Sequence, residues 1–285
     1  MDINTKIDFI ASSPLYEEEK PYFLHPSASA DVDTQQIKNT NVVWDPKPMV
    51  VQSMRDREDL SLEKNGFCYI EHKSAHIVDT EPAQGAIAGY RKESEDMMRS
   101  LLNAEFVCCY DFKLRKNAPL SLDSYDPDDP ALVEEAAIGA HDITVDTVPR
   151  LLKKLLTQEQ LKVFMQPGYR FRLINTWRSL LAECEDRPLA LCDYTSISPD
   201  DLLAADRIYP SWDQEIYFVK HNHQQRWFWL PKQRSSEPLL FMTYDSDSRS
   251  KARYCPHISV ENPLAGSGAP PRESVETRNL VITKL

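Results

Sequence analysis

The sequence predicts a mainly β fold, either a β-sandwich or a jelly roll, with α-helices packed outside the sheets. Short apolar runs of strand length support this prediction, and turn signals separate them: YRFRLINTWRSL, PLALCDY, QEIYFVKHN, RWFWLP and EPLLFMTYDS. The 285 residues contain 7 Gly and 20 Pro, a ratio that favours braced connections over flexible ones. One large β-rich domain is therefore expected.

The first elements follow from local patterns. Residues 1–45 are polar and show little periodicity, so we predict an N-terminal arm there and a single domain over 46–285. Within the domain, NGFCYIEHKS (65–74) predicts a strand opened by a glycine turn. Helical spacing of apolar residues predicts a helix over 91–103, and AEFVCCYDFKLR (104–115) then predicts a strand.

The middle of the chain alternates loops with short elements. SLDSYDPDDPALVEEA (121–136) predicts an acidic, proline-punctuated loop, and AHDITVDTV (140–148) has the β-branched content of a strand. Pro149 fits the first turn of a helix over 150–162, because proline lacks only a donor that has no partner there. Ser198 is placed to cap a following helical turn.

Charge and hydropathy exclude several classes of partner. A net charge of −11 disfavours binding to nucleic acid or to an anionic membrane surface, since both require a basic patch. No run approaches the roughly 18 consecutive apolar residues typical of a transmembrane helix, and the polar start is not typical of a signal peptide. We therefore expect a cytoplasmic protein whose six cysteines are buried thiols.

A set of short motifs in fixed order resembles a known family. The set is GF (66–67), INTWR (174–178), RPLALCD (187–193), WFW (227–229), EPLLF (237–241), YDS (244–246), PH (256–257) and PPRESVETR (270–278). It resembles the fungal AsaB-like hydroxylase/desaturase family, which is related to gibberellin desaturase and to a cephamycin methoxylation protein. The resemblance covers roughly residues 45–285.

This resemblance implies a double-stranded β-helix, the cupin-like jelly roll, and a non-haem oxygenase that uses Fe(II) and 2-oxoglutarate. Two neutral imidazoles and one carboxylate bind Fe(II) on one face in such sites. His257 matches the distal histidine. Arg272, fifteen positions later (272 − 257), matches the group that grips the far carboxylate of 2-oxoglutarate, with Arg278 as its competitor. One of the two arginines is expected to face the pocket, and the other to brace the sheet through Glu273 or Glu276.

Arg178 lies in the NxWR motif of the family. It is expected either to meet a cosubstrate or substrate carboxylate or to form an ion pair with Asp193 or Asp186. His221 and His223 share strand parity and resemble a metal pair, but a polar hairpin tip is the better interpretation of KHNHQQRW.

The remaining ligands should come as His-x-Asp, because alternate residues of a strand share one face. This chain has His141 and Asp142 side by side instead, which point to opposite sides of a regular strand. Three alternatives remain. In the first, a β-bulge over 140–142 turns both side chains inward and completes a site of His141, Asp142 and His257. In the second, the site keeps His141 and His257, and water replaces the carboxylate. In the third, Val145, Asp146 and Pro149 set the register, which puts Thr144 in place of the histidine and abolishes the site.

The hypothesis that follows is a fungal biosynthetic oxygenase that hydroxylates, desaturates or rearranges an apolar polycyclic metabolite. The alternative is a catalytically impaired paralogue that serves as the structural subunit of a heterodimer with an active oxygenase. A homodimer is also compatible with the sequence. The irregular His-x-Asp motif motivates the subunit alternative, because the jelly-roll core does not need the metal to fold.

Overall fold

Two mixed, largely antiparallel sheets pack face to face in the computed structural model of the chain. It describes residues 1–24, 38–76, 79–83, 85–119, 129, 131–136, 139–144, 147–209, 213–247, 249 and 252–285. Within these ranges one sheet contains nine strands and the other six, and a two-stranded ribbon is formed by β9 (Glu183–Cys184) and β14 (Gln233–Arg234).

The nine-stranded sheet carries the shorter strands. In spatial order its members are β1 (Ile3–Ile10), β3 (Trp44–Ser53), β13 (Trp227–Trp229), β10 (Leu189–Cys192), β16 (His257–Ser259), β7 (His141–Ile143), β12 (Asp213–Val219), β11 (Leu202–Ile208) and β2 (Tyr22–Leu24).

The six-stranded sheet carries the longest strands. Its order is β4 (Phe67–Tyr69), β15 (Leu239–Asp245), β8 (Tyr169–Ser179), β17 (Glu273–Lys284), β5 (Phe106–Lys116) and β6 (Val133–Glu134). The strand β17 lies between β8 and β5 and pairs with both along almost its whole length. It therefore fixes the residues that precede it, including Arg272, relative to the sheet.

Apolar side chains from both sheets meet between them. Trp177 and Phe241 of the six-stranded sheet pack with Leu191 and Phe228 of the nine-stranded sheet, and all four are at most 1% exposed. Because neighbouring residues of a strand point to opposite faces, Trp227 and Trp229 instead join a second cluster with Phe9.

Five described helices flank the sheets: α1 (Leu15–Glu18), α2 (Leu62–Asn65), α3 (Ala86–Leu102), α4 (Thr147–Leu155) and α5 (Gln158–Phe164). Helix α3 packs Met98 against Ile174 and Val281 of the six-stranded sheet. Helix α4 packs Leu152 against Leu173 and Leu280 of the same sheet. A capping box at Thr157, whose side chain accepts a hydrogen bond from the Gln160 amide, begins α5.

Most predicted elements are present, with shifted ends. The helix predicted over 91–103 begins five residues earlier, at Ala86, and that predicted over 150–162 is divided into α4 and α5. The strand predicted over 140–148 is shorter, since β7 ends at Ile143 and α4 begins at Thr147. Ser198 caps a 3-10 turn over Pro199–Asp201.

The predicted N-terminal arm contributes strands where it is described. β1 pairs with β3 over its full length, and β2 pairs with β11. Ile3, Ile7 and Phe9 are at most 1% exposed, so their burial against the sheet stabilises a segment whose polar composition predicted little regular structure. Residues 25–37 of the arm lie outside the described ranges, as does most of the predicted acidic loop.

Among the helices that the structure describes, none has both the length and the apolar character needed to cross a bilayer.

Packing of α3 on the sheet gives a direct test of the fold. Met98 is fully buried and Leu101, on the same helix, is 46% exposed. We expect Met98→Ala to lower the free energy of unfolding by about 2–5 kcal/mol, because it leaves a cavity against the sheet. Leu101→Ala should change it by roughly 0.5 kcal/mol or less. Urea denaturation measures both, and equal effects of the two variants would contradict the packing described.

An ion pair on the six-stranded sheet predicts a pH dependence. Glu134 lies 2.8 Å from Lys113 Nζ and 3.0 Å from Arg115 Nη1. Burial opposes ionisation of Glu134, but attraction to Arg115 and Lys113 outweighs it and holds the pKa at about 2.

The pKa of Glu134 in the unfolded chain is roughly 4.3, so ionised Glu134 stabilises the fold above that pH. This contribution is lost as the pH falls towards 2. Glu134→Gln should therefore destabilise the protein at pH 7, and the difference from the unsubstituted protein should shrink between about pH 4.3 and 2. Thermal melts over this range measure it, with Glu19→Gln as the control for loss of an exposed carboxylate. A difference that does not change with pH would disprove this role for the ion pair.

Candidate metal centre

Two imidazoles meet at the centre of the nine-stranded sheet. His141 is the first residue of β7, His257 is the first residue of β16, and the two residues are directly opposite in antiparallel register. Directly paired residues project from the same face of a sheet. The ring centroids are accordingly 4.6 Å apart, and the tertiary structure brings together two histidines that are far apart in the chain.

Both rings are held by their Nδ1 atoms. His141 Nδ1 lies 2.9 Å from the Gly139 carbonyl oxygen, and His257 Nδ1 lies 3.1 Å from the Cys255 carbonyl oxygen. A carbonyl only accepts, so each Nδ1 carries the proton and donates. The lone pair is then on Nε2, which makes no hydrogen bond to the described residues in either ring. This is the tautomer that a metal-binding histidine needs.

Burial favours the neutral form of both rings. It lowers the pKa of His141 well below its ordinary value, and the neighbouring His257 lowers it further. Burial also lowers the pKa of His257, although the negative charge of Glu276 partly opposes this effect. Neutral imidazole is the form that binds a divalent metal ion, so both rings are available to do so at neutral pH.

Asp142 lies on the opposite face of β7. Its side chain is fully buried, Oδ1 accepts a hydrogen bond from the Ile143 amide at 2.7 Å and Oδ2 accepts one from the Cys255 amide at 2.9 Å. Burial raises its pKa well above the ordinary value. The pairing of β7 with β12 is regular from His141 to Ile143, so the bulge that would turn Asp142 inward is not present. The structure therefore does not bring Asp142 together with the two imidazoles.

Residues 144–146 follow β7 and would abolish the site if they set the register of the ligands. Thr144 is buried, and its Oγ1 donates to the Glu215 carbonyl oxygen at 3.3 Å. Val145 and Asp146 lie outside the described residues, and Pro149 lies in the first turn of α4. Within the described ranges, no three His, Cys, Asp or Glu side chains are spaced to hold a metal ion.

Arg272 precedes β17 and is 1% exposed. Its Nη1 donates to Ser259 Oγ at 2.9 Å, and its guanidinium lies 5.9 Å from the Trp177 ring centroid. Its Nε and Nη2 are buried and have no hydrogen-bond partner among the described residues. These two atoms form one edge of the guanidinium, the edge that binds a carboxylate through two parallel hydrogen bonds. Unpaired buried donors are costly, so this edge fits an anionic ligand.

Arg272 and the two imidazoles line the same cavity. Its volume is about 20 Å³, which accommodates roughly one water molecule. The lining residues are Arg115, His141, Trp177, Leu189, His257, Ile258, Ser259, Arg272 and Glu276. A five-carbon dicarboxylate needs several times this volume, so side chains must move to admit one.

Arg278 is engaged elsewhere. Its Nη1 lies 3.2 Å from Asp111 Oδ2 and its Nε lies 3.3 Å from Glu276 Oε1. Its pKa is raised, because attraction to these carboxylates outweighs the effect of burial. Arg272 thus faces the cavity while Arg278 braces the sheet through Glu276, the division of roles that the sequence left undecided between the two.

Arg178 forms no ion pair with a carboxylate in the described ranges. Its Nε donates to Tyr90 Oη at 2.9 Å, and Nη1 donates to the carbonyl oxygens of His72 and Ser235. The two aspartates predicted as its partners bind other groups: Asp193 pairs with Arg226, and Asp186 accepts the Arg272 amide. Trp177 pairs with Glu276 across β8 and β17, and both line the cavity. The adjacent Arg178, paired with Val275, therefore lies on the opposite face, where it contacts Tyr90 of α3.

Three polar residues of the cavity were not predicted as site residues. Glu276 lies on β17, Ser259 lies at the end of β16, and Arg115 lies on β5. Burial raises the pKa of Glu276, but attraction to Arg278 and Arg115 outweighs this effect, so the pKa lies below its ordinary value. Two-residue alternation from His257 and from Arg272 would have indicated Ser259 and Glu276. No sequence signal places Arg115 here.

The chain has relatives among known proteins. A family model described as the oxidoreductase/YMDC permease-like domain matches residues 9–282. The hydroxylase/desaturase efuI of Hormonema carpetanum is 29% identical over 262 residues, 86% of either chain. The Fe(II)/2-oxoglutarate-dependent dioxygenase nvfI of Aspergillus novofumigatus is 27% identical over 249 residues, 85% of either chain. The alpha-ketoglutarate-dependent dioxygenase phiK of a fungal species is 28% identical, covering 88% of this chain and 90% of that protein.

Solved structures agree in fold. The iron and alpha-ketoglutarate-dependent endoperoxidase NvfI superposes with a TM-score of 0.80 at 22% identity, over 100% of this chain and 99% of that chain. A second structure of NvfI, in a different conformation, gives a TM-score of 0.83 at the same identity. The predicted jelly-roll fold and the resemblance to fungal hydroxylase/desaturases are confirmed. The chain belongs to the oxidoreductase/YMDC permease-like family, with fungal hydroxylase/desaturases and Fe(II)/2-oxoglutarate-dependent dioxygenases among its relatives.

Proposed function

We propose that this chain is a non-haem Fe(II)/2-oxoglutarate-dependent dioxygenase of fungal secondary-metabolite biosynthesis. One observation carries the proposal: Arg272, a buried arginine whose Nε and Nη2 have no partner among the described residues, lines the same cavity as two opposed neutral imidazoles, His141 and His257. The names of the relatives, which are fungal hydroxylases, desaturases and dioxygenases, support the same reaction class.

The donor set fits Fe(II) in part. His141 and His257 would hold the ion through Nε2, because the hydrogen bonds of both Nδ1 atoms to backbone carbonyls fix that tautomer. The negative charge of Glu276 in the same cavity favours a cation there. The carboxylate of Asp142 is bound to backbone amides behind β7, so the complete facial triad is not assembled in this conformation.

Arg272 would hold the far carboxylate of 2-oxoglutarate. Its Nε and Nη2 present two parallel donors, and burial makes hydrogen bonds to a charged partner stronger than they are in water. Burial lowers the pKa of Arg272 to about 10, so it remains cationic at neutral pH. Ser259 fixes the other side of the guanidinium through Nη1 and thereby orients the free edge.

When bound, Fe(II) and 2-oxoglutarate supply the activation of O₂ for attack on an unactivated C–H bond. The chain itself contributes orientation and exclusion of water: Trp177 stacks beside Arg272, and Phe241 packs 4.6 Å from the His257 ring. Such a reaction hydroxylates, desaturates or rearranges its substrate. The apolar side chains of Leu189 and Ile258 in the cavity wall support an apolar substrate.

The alternative of an impaired paralogue that acts as the subunit of a heterodimer finds no support in the comparisons, since the relatives named above are enzymes. A cytoplasmic location and a homodimeric state remain predictions from the sequence.

Metal binding tests the proposal directly. Under anaerobic conditions with 2-oxoglutarate, the protein should bind about one equivalent of Fe(II), and His257→Ala should abolish this binding, since it removes one of two imidazole ligands. His223→Ala is the matched control, because His223 is an exposed histidine of the 221–226 turn. Metal analysis after gel filtration measures the stoichiometry. Equal binding by the His257 variant would refute the assignment.

Cosubstrate binding tests the role of Arg272. Arg272→Lys keeps the charge but loses the bidentate edge, so we expect the Kd for 2-oxoglutarate to rise roughly 10- to 100-fold, the equivalent of one or two charged hydrogen bonds. Arg278→Lys should leave this Kd nearly unchanged. Anaerobic titration calorimetry measures both values. A larger effect at Arg278 would transfer the role to that residue.

A further inference from the structure

Asp142 has a buried carboxyl group that forms no ion pair with the residues that the structure describes. Its side chain is fully buried, and none of the salt bridges between described residues includes it. Both of its oxygens accept backbone amides instead, Oδ1 from Ile143 and Oδ2 from Cys255. Removing a carboxylate from water is costly unless it receives strong hydrogen bonds, so this arrangement needs a structural or functional reason.

The contact to Cys255 leads directly to His257. The Cys255 amide donates to Asp142 Oδ2 at 2.9 Å, and the carbonyl oxygen of the same residue accepts the Nδ1 proton of His257 at 3.1 Å. One residue, Cys255, thus joins the buried carboxylate to the imidazole. Cys192 of β10 also contacts this segment. Its amide donates to the Pro256 carbonyl oxygen at 2.8 Å, and its carbonyl oxygen lies 3.4 Å from Cys255 Sγ.

The two imidazoles are therefore oriented by different means. The acceptor for His141 is the carbonyl of Gly139, whose φ of +81° favours glycine and whose missing Cβ leaves room for the Trp44 ring. The acceptor for His257 belongs to residues 252–256, which form neither strand nor helix and are fixed by hydrogen bonds. His257 thus depends on Asp142 in a way that His141 does not.

We propose that Asp142 is a positioning residue that acts on His257 through the backbone of Cys255, and that it contributes no oxygen ligand to the metal. This inference rests on the proposed function in one respect, namely that His257 binds the metal. Hydrogen-bonded groups behind a metal-binding histidine fix its tautomer and ring orientation and raise its basicity. The two oxygens of Asp142, which accept the Ile143 and Cys255 amides, form the buried end of this chain of contacts.

The proposal has a consequence for the metal site. The strands β7 and β16 then supply two imidazole ligands and no carboxylate ligand. The remaining coordination positions of the metal are left to solvent, cosubstrate or another group of the cavity. Such a site binds a divalent ion more weakly than a complete triad does. It also explains how adjacent His141 and Asp142 both serve the site although they point to opposite faces of a strand.

The test uses the full chain with Zn(II) as a redox-inert probe. Asp142→Asn keeps the size of the side chain but replaces one of two acceptor oxygens by a donor group. Glu237→Gln is the matched control, since Glu237 is also a buried carboxylate that accepts a backbone amide, from Arg234, but it does not line the cavity. Competition with a chromophoric chelator gives the Zn(II) affinity.

If Asp142 positions His257, Asp142→Asn should weaken Zn(II) binding roughly 10- to 100-fold without abolishing it, the usual cost of removing a group behind a ligand. In the metal-free protein, ¹⁵N NMR should show that His257 loses its single Nδ1-protonated tautomer. The melting temperature should also fall. Glu237→Gln should lower the melting temperature while it leaves the Zn(II) affinity and the His257 signals unchanged.

Two outcomes would overturn the inference. One is that Asp142→Asn abolishes Zn(II) binding while the metal-free protein keeps its melting temperature and its His257 signals, because a pure ligand behaves in this way. The other is a crystal structure of the Zn(II) complex of the unsubstituted protein with an Asp142 oxygen about 2.0–2.2 Å from the metal, the usual Zn–carboxylate distance.

Failure of the proposed function has a different signature. In that case the unsubstituted protein does not bind Zn(II), or His257→Ala binds it equally well. The NMR and melting measurements need no metal, so they decide on the link from Asp142 to His257 even then.

Discussion

The direct pairing of β7 with β16 is the constraint on which the candidate site depends. It places His141 opposite His257, so that two rings from distant parts of the chain face one cavity. The same pairing turns Asp142 to the reverse face, since successive side chains of a strand alternate. A single geometrical rule thus assembles the imidazole pair and removes the neighbouring carboxylate from it.

Polar groups behind the site orient those within it. Gly139 and Cys255 supply the carbonyls that fix the two histidine tautomers, and Ser259 fixes one side of the Arg272 guanidinium. The opposite edge of Arg272, formed by Nε and Nη2, has no hydrogen-bond partner within the described part of the chain. Unsatisfied buried donors are rare in folded proteins because they are costly, and they mark the place where an anion fits.

The sequence predicted most of the fold and part of the candidate site. Alternating apolar runs predicted the strands, and the motifs around His257 and Arg272 gave the family and the two residues that share the cavity. Element ends were less accurate, as in the helix that begins at Ala86. The strand β1 was missed, because Ile3, Ile7 and Phe9 are spread through a polar segment and gain their burial only from the sheet.

By itself the sequence determined the class of the protein, the chemistry of its candidate ligands and the fact that His141 and Asp142 cannot share a face of a regular strand. Only the tertiary structure decided that β7 stays regular, that Arg272 and not Arg278 faces the cavity, and that Asp142 binds the Cys255 amide. The physical reason is that a motif fixes which groups are present, whereas register, burial and hydrogen-bond partners depend on segments distant in the chain that meet only in the folded state.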